Sequence, residues 1–231
     1  MRMFLSLLVV LIIHSTSSFA AETKSDDLPD SQNDKKLIEL YKKRALTGDS
    51  FSQYRLGYFY EHGRGVEKDV HKALEWYEKA AAKNDSRAIF NLAVMYFYGN
   101  GIPQDVEKGM SLFEKSFQLH SWSAAEALGR IYLYGDNVPK DLPKSVEYLK
   151  IAAKVGRPNS LYLLSLMNLR GIGMEQNEEE GILLLIEAAR NGSVEARNDI
   201  EKFEKRLGQT LQSRLKEKYN YTDPPYVWKT D

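Results

Sequence analysis

The amino-acid sequence predicts an all-α protein, an α-solenoid of antiparallel helix pairs with a 36-residue period. Two sets of residues carry this prediction, because a leucine and a glycine each recur at that interval. The leucines are Leu56, Leu92, Leu128 and Leu164, and the glycines are Gly63, Gly99, Gly135 and Gly171. A single helix pair of this length cannot bury its own apolar face, so neighbouring units are expected to stack.

The first full unit illustrates how one helix pair is encoded. Apolar and aromatic residues recur at helical spacing over residues 50–62, and Gly63 ends this helix because glycine adopts the left-handed conformation at little cost. Asp69 is the predicted N-cap of a second helix over residues 70–83. Later units keep this pattern with two exchanges, Asn137 for a loop glycine and Asn177 for the capping aspartate.

The repeats occupy the middle of the chain. The solenoid is predicted at residues 35–207, with four full units at about 50–85, 86–121, 122–157 and 158–192 and a half-unit at each end. The last half-unit ends where Leu207 replaces the expected glycine. Residues 208–231 are predicted to form one helix and an extended tail with Tyr226 and Trp228. This tail either packs on the solenoid, which we favour because chain ends need anchoring, or binds another protein.

The N-terminus has the pattern of a secretory signal peptide over residues 1–20. Arg2 supplies a positive charge, an apolar run of ten residues follows, and Ala20 ends a small-x-small cleavage site. The alternative, an uncleaved membrane anchor, needs roughly 20 apolar residues. We therefore expect cleavage after Ala20 and no stable membrane insertion. Residues 21–34 are acidic and polar, which predicts a disordered leader.

Composition limits the location and the partners. Cleavage removes one charge, so the 32 basic and 32 acidic residues become 31 and 32 and the net charge is −1. This balance does not favour nucleic acid as a partner. The chain has no cysteine and so neither a disulfide nor a lipid-modified cysteine, which favours the periplasm or the exterior of a bacterial cell. Three Asn-x-Ser/Thr triplets, at Asn84, Asn191 and Asn220, fit the N-glycosylation pattern, although short polar turns also generate this triplet by chance. In a eukaryote the expected location would be the lumen of the secretory pathway instead.

The repeat motif resembles that of the Sel-one-like repeat family, which is related to the tetratricopeptide repeats. The clearest match is in the first unit: Leu56-Gly57, Tyr60, Gly63, Gly65-Val66, Asp69, Lys72-Ala73, Trp76-Tyr77 and Lys79-Ala80-Ala81. The fourth unit departs from it with Asn168 for tyrosine and Glu180 for lysine. The resemblance implies a right-handed superhelix whose first helices line a concave face. It also implies adaptor or interaction roles without a fixed chemistry.

The recurring leucines are expected to pack in the core together with Tyr60, Tyr96 and Tyr132. Residues that differ between units while lying on the first helices are the predicted partner-binding positions, because packing does not dictate them. Spacings of three and four place each set on one helical face. This variable stripe consists of Arg55, Tyr58, His62, Asn91, Val94, Tyr98, Arg130, Tyr134, Leu163, Leu166 and Arg170. Tyrosine and arginine are enriched in protein-binding hot spots. The alternative is that these side chains only face solvent or pack between units.

Enzymatic chemistry has little support in the sequence. The mature chain has three histidines, His62, His71 and His120, at no metal-ligand spacing. No nucleophile triad and no phosphate-binding loop can be identified, since the paired glycines are spaced for helix reversal. We expect no catalytic residue, no metal and no cofactor.

The sequence therefore predicts a non-enzymatic, exported protein-binding scaffold whose partner is another protein. One narrower hypothesis is an immunity protein, since some small exported members of the family neutralise phospholipase effectors of type VI secretion. A second is a hydrolase of cell-wall material or β-lactams, as described for cysteine-rich relatives, although those depend on disulfides. A third is a structural brace in an envelope assembly.

Overall fold

The computed structural model describes residues 31–220, which form α-helices and contain no strand. The helices are α1 (Ser31–Leu46), α2 (Ser50–His62), α3 (Val70–Ala81), α4 (Ser86–Tyr98), α5 (Val106–Gln118), α6 (Trp122–Tyr134), α7 (Leu142–Ala153), α8 (Pro158–Arg170), α9 (Glu178–Arg190), α10 (Val194–Leu207) and α11 (Leu211–Tyr219). Each helix packs against the next, and α11 also packs against α9. The pairs α2/α3, α4/α5, α6/α7 and α8/α9 form the four repeat units.

The local signals at the helix ends act as predicted. Asp69 accepts a hydrogen bond from the backbone N–H of Lys72, and Asn177 caps α9 in the same way through Glu180. Gly63 ends α2 in the left-handed conformation with φ of 66°, and Asn137 has a positive φ of 55°. The C-terminal ends of the first helices and the N-terminal ends of the second helices are therefore determined by short-range hydrogen bonds and backbone conformation.

Helix α1 corrects the predicted leader. The helix begins at Ser31, four residues before the expected start at residue 35, so residues 31–34 are not part of a disordered segment. Asp34 is buried and forms an ion pair with Arg64 at 3.6 Å. This contact with the loop after α2 supports the extra helical turn. The predicted signal peptide, residues 21–30 of the leader and the aromatic tail lie outside the described residues.

The other end of the array differs slightly from the prediction. Helix α10 continues through Leu207, and Gly208 ends it in the left-handed conformation with φ of 65°. The terminating glycine is therefore present, displaced by one residue. The helix predicted beyond it is confirmed as α11, for which Thr210 is the N-cap.

The repeating leucines form the core, as predicted. Leu56, Leu92, Leu128 and Leu164 are all buried. Close packing within a unit also requires glycine at some positions, since a Cβ atom on Gly57 would lie 2.5 Å from the ring of Tyr77. The fourth unit shares its core with α10 and α11, to which Ile200, Leu211 and Leu215 contribute.

Candidate protein-binding surface

The tyrosines of the repeat motif have a structural role. Tyr60, Tyr96 and Tyr132 were predicted to pack in the core, and they are half-buried rather than fully enclosed. The motif lysine of the same unit covers each ring, and the shortest such contact joins Lys108 Nζ to the ring centre of Tyr96 at 3.7 Å. The equivalent distances are 5.5 Å for Lys72 and Tyr60 and 5.0 Å for Lys144 and Tyr132. Recurring residues of the motif thus stabilise units, leaving the variable stripe to be considered for binding.

The variable residues of α2 form an N-terminal cluster, defined as Arg55, Tyr58 and His62. The rings of Tyr58 and His62 stack with their centres 4.2 Å apart. His62 Nδ1 donates to the backbone oxygen of Tyr58 at 3.0 Å, since a carbonyl can only accept. The guanidinium carbon of Arg55 lies 5.8 Å from the centre of the Tyr58 ring. His62 is exposed and Tyr58 half-buried, whereas Arg55 is only 8% exposed.

Asn91 contributes to packing between the first two units. Its Nδ2 donates to the hydroxyl of Tyr77 at 2.8 Å, and that hydroxyl donates to Glu61 Oε2 at 2.6 Å. Burial, followed by the nearby charge of Glu61, raises the pKa of Tyr77 well above its usual value. The amide of Asn91 is thus already engaged inside the protein.

The second and third units contribute a middle cluster, defined as Tyr98, Arg130, Tyr134 and Asp136. Burial, followed by the charge of Asp136, raises the pKa of Tyr98, and the same carboxylate accepts a hydrogen bond from the phenol. Arg130 lies close enough to oppose this shift. Burial also raises the pKa of Tyr134, again opposed by Arg130, although 37% of Tyr134 is exposed. Asp136 did not emerge from the sequence because it lies just beyond the helix.

The remaining stripe residues are largely covered. Val94 and Leu163 are half-buried and pack against the core. Leu166 is only 6% exposed, which corrects its prediction as a partner-binding residue, because a side chain so buried leaves little surface for a partner. Arg170 is half-buried, and its charge opposes the rise in pKa of Tyr162.

Tyr162 and Asp199 form a polar pair that sequence reasoning missed. The hydroxyl of Tyr162 donates to Asp199 Oδ2 at 2.8 Å. Burial, followed by the charge of Asp199, raises the pKa of this tyrosine. Asp199 lies 144 residues after Arg55, which is four repeat periods, so extending the stripe into α10 would have identified it.

Neither a metal site nor a membrane-spanning helix is found within residues 31–220. No group of three or more histidine, cysteine, aspartate or glutamate side chains in this range is arranged to hold a metal ion. No helix in the same range is both long and apolar enough to span a bilayer.

Comparison with known families identifies the repeats. The model of the Sel1 repeat matches residues 50–85, 86–121, 122–156 and 158–193. The chain belongs to the Sel1 repeat family. Together with the observed helix pairs, the match confirms the predicted right-handed α-solenoid with a period of 36 residues. Sel1 repeats generally mediate protein–protein interactions, and the scaffold is typically non-catalytic.

Solved structures support the same assignment. A Sel1 repeat protein from Oxalobacter formigenes is 27% identical with a TM-score of 0.72, over 83% of this chain and 78% of that one. A protective antigen of uropathogenic Escherichia coli with the SLR fold is 27% identical with a TM-score of 0.68, over 74% of this chain and 36% of that one. This chain therefore spans about a third of that antigen.

A third structure is an immunity protein from Pseudomonas aeruginosa, 23% identical with a TM-score of 0.54, over 78% of this chain and 65% of that one. At this identity the likeness concerns the fold alone. No match was found among curated proteins.

Proposed function

We propose that this Sel1 repeat protein is an exported, non-enzymatic scaffold that binds another protein through the concave face of its first helices. The N-terminal and middle clusters are the proposed contact points. One observation carries the proposal: tyrosine, histidine and arginine side chains remain accessible at variable positions of a scaffold whose recurring residues are used for packing.

The chemistry of these side chains suits protein recognition. Tyr58 and Tyr134 offer rigid aromatic surface, and Arg130 offers several hydrogen-bond donors to an incoming acceptor. The hydrogen bond and charge around Tyr98 hold its ring in place before a partner arrives, which reduces the entropy lost on binding. Export is supported by the signal pattern of residues 1–20.

A quantitative capture experiment tests the proposal. The tagged chain is recovered from its native envelope, and the proteins recovered with it are compared between wild type and a triple variant, Tyr58→Ala, Arg130→Ala and Tyr134→Ala. Loss of hot-spot residues typically costs about 2 kcal/mol or more each, so we expect the specific partner to be lost from the variant.

The matched control places three alanines on exposed positions of the second helices, at Lys115, Lys150 and Glu187. The control should retain the partner at the wild-type level, and thermal denaturation should give similar midpoints for all three proteins. A partner lost equally from both variants, or retained by both, would contradict binding through the first helices. Loss from the control alone would favour the structural brace, which uses the outer face.

A narrower form of the proposal is an immunity protein that neutralises a secreted effector, such as a phospholipase. The fold shared with an immunity protein of P. aeruginosa supports it. The product of an effector gene next to this one would be purified and mixed with the chain. Binding together with inhibition is the expected result, and failure of either rejects the immunity hypothesis while leaving the scaffold proposal in place.

The hydrolase hypothesis has its own test. Turnover of a cell-wall or β-lactam substrate would be measured with the wild-type chain and with His62→Ala and Glu61→Gln. Our proposal predicts no turnover by any of these proteins. Turnover that disappears in either variant would replace the scaffold proposal with an enzymatic one.

A further inference from the structure

Arg55 is a buried cation that lacks a counterion among residues 31–220. The residue is 8% exposed, and its guanidinium carbon lies 5.9, 5.8 and 5.5 Å from the ring centres of Tyr41, Tyr58 and Phe59. It forms no hydrogen bond or ion pair with any residue between 31 and 220. Placing a charge in such a site is costly unless an anion compensates it, and aromatic faces compensate only part of this cost.

Arg87 of α4 offers a direct comparison at the next unit boundary. It also lies over two aromatic rings, with its guanidinium carbon 4.7 Å from the centre of Phe51 and 5.0 Å from that of Tyr54. Its fork, however, is occupied, because Nε donates to Asp85 Oδ1 at 3.1 Å and Nη2 donates to Oδ2 at 2.7 Å. Arg55 has the same aromatic support and lacks the carboxylate.

The position of the donors indicates where an anion would bind. The Nε atom of Arg55 is fully buried without an acceptor, whereas the two Nη groups reach the molecular surface, also without an acceptor in the described chain. The three rings lie around the guanidinium carbon and restrict the orientation of the planar fork. Guanidinium groups held in this way recognise planar oxyanions through two parallel hydrogen bonds.

We propose that Arg55 binds a carboxylate of an acidic side chain from the protein partner, with Tyr58 and His62 forming the wall of the site. The inference deepens the proposed function by assigning the chemistry of one contact at the N-terminal end of the variable stripe. An aspartate or glutamate of the partner would accept from the two Nη groups, so Arg55 would gain the counterion that Asp85 supplies to Arg87.

A carboxylate fits this site better than a phosphate group. One guanidinium supplies a single positive charge, and Glu61 lies at the margin with its Oε2 3.9 Å from His62 Nδ1. A second negative charge on the ligand would add to the repulsion by Glu61. The single negative charge of a carboxylate is balanced by the single positive charge of Arg55.

NMR titration of the mature chain tests the assignment. The Nε–H resonance of Arg55, identified by its loss in Arg55→Lys, is followed as N-acetylated tetraglutamate is added. We expect a saturable shift with this peptide and none with the tetraglutamine peptide at the same concentration. In Arg55→Lys, binding is followed by the backbone amides of Tyr58 and His62. It should weaken about tenfold, because lysine keeps the charge and loses the paired donors.

Arg87→Lys is the matched control, since its fork is already filled by Asp85, and it should bind tetraglutamate as the wild type does. Equal shifts with both peptides, no shift with either, or undiminished binding by Arg55→Lys would overturn the proposal. Stronger binding of inorganic phosphate than of the peptide would overturn the choice of carboxylate.

The acidic leader of the chain is the rival occupant. If Asp26→Asn combined with Asp27→Asn moves the Arg55 resonance in the absence of peptide, the leader fills the site and the assignment to a partner is wrong. The titration reads Arg55 alone, whereas the capture experiment alters Tyr58, Arg130 and Tyr134. Failure of one is therefore distinguishable from failure of the other.

Discussion

The first three repeat units and the fourth are held together differently. In each of the first three, the motif lysine of the second helix covers the tyrosine of the first helix. The fourth unit has Asn168 and Glu180 at these two positions. Asn168 is buried, and its Nδ2 donates to the backbone oxygen of Leu164 at 3.0 Å, so it satisfies its polar group within its own helix.

The fourth unit gains its support from helices outside the repeat pattern. Leu211 and Leu215 of α11 are buried in its core, and Glu178 at the start of α9 pairs with Arg214 and Lys218. An inner unit has a similar neighbour on each side, whereas a terminal unit needs a different structure to cover its apolar face. The end of this array is therefore stabilised by non-repeated contacts, which substitutions can remove without changing the inner units.

Among the substitutions considered, Leu215→Ala should destabilise the protein most. Removing this buried side chain should lower the free energy of unfolding by about 2–5 kcal/mol, because a cavity remains in the core shared with the fourth unit. Leu128→Ala should cost a similar amount in the third unit. Hydrogen exchange distinguishes them: Leu215→Ala should reduce protection in α8 to α11. Equal loss of protection in α2 to α5 would contradict separate stabilisation of the end.

A somewhat smaller loss of stability is expected at the junction between the third and fourth units. Glu126 of the third unit is buried and accepts from Arg157 Nε at 2.8 Å and from Ser160 Oγ at 3.0 Å. Glu126→Gln removes the charge that pairs with Arg157 and should cost about 1–3 kcal/mol in urea denaturation. Glu147→Gln, at an exposed position, is the control and should leave stability unchanged. An equal cost for the two variants would show that the junction contributes nothing special.

Alkaline pH should weaken both regions through two half-buried tyrosines, Tyr148 and Tyr162. Burial, with Glu114 at Tyr148 and Asp199 at Tyr162, raises the pKa of these phenols above the usual value of about 10. The neutral phenol is therefore favoured in the folded state, so this stability is present below pH about 10 and lost as pH rises toward the folded-state pKa.

Tyr148→Phe and Tyr162→Phe test this pH dependence in the third and fourth units. Each should cost about 0.5–1.5 kcal/mol at neutral pH and reduce the alkaline loss of stability. Thermal melts at several pH values above neutrality measure both effects. A pH profile identical to that of the wild type in both variants would exclude these phenols as its cause.

The cation–π contact between lysine and tyrosine, which the fourth unit lacks, should make the smallest contribution to stability. Lys108→Ala removes the ammonium over the Tyr96 ring and should lower stability by about 0.5–1 kcal/mol, as expected for an exposed cation–π contact. Lys115→Ala, on the exposed face of the same helix, should have no measurable effect. Equal melting temperatures for the two variants would mean that the recurring lysine contributes nothing to stability through its tyrosine.

Much of the fold could be predicted because its signals are local. Helix α2 has the predicted bounds, and Asp69 and Gly63 act at the ends for which they were predicted. The start of α1 was misjudged, since Asp34 is stabilised by Arg64, a partner 30 residues away. The candidate surface was predicted less well, because spacing assigns a residue to a helical face without saying what covers that face.

The repeat, its period, the helix caps and the leucine core could all be predicted from the sequence alone. Each of them depends on neighbours along one helix pair or on the same position in the next unit. Which variable residues are accessible to a partner depends instead on tertiary packing. Tyr41 of α1 closes over Arg55, and Leu166 is buried although its position varies between units. The physical reason is that accessibility depends on the side chains of other helices, which do not repeat.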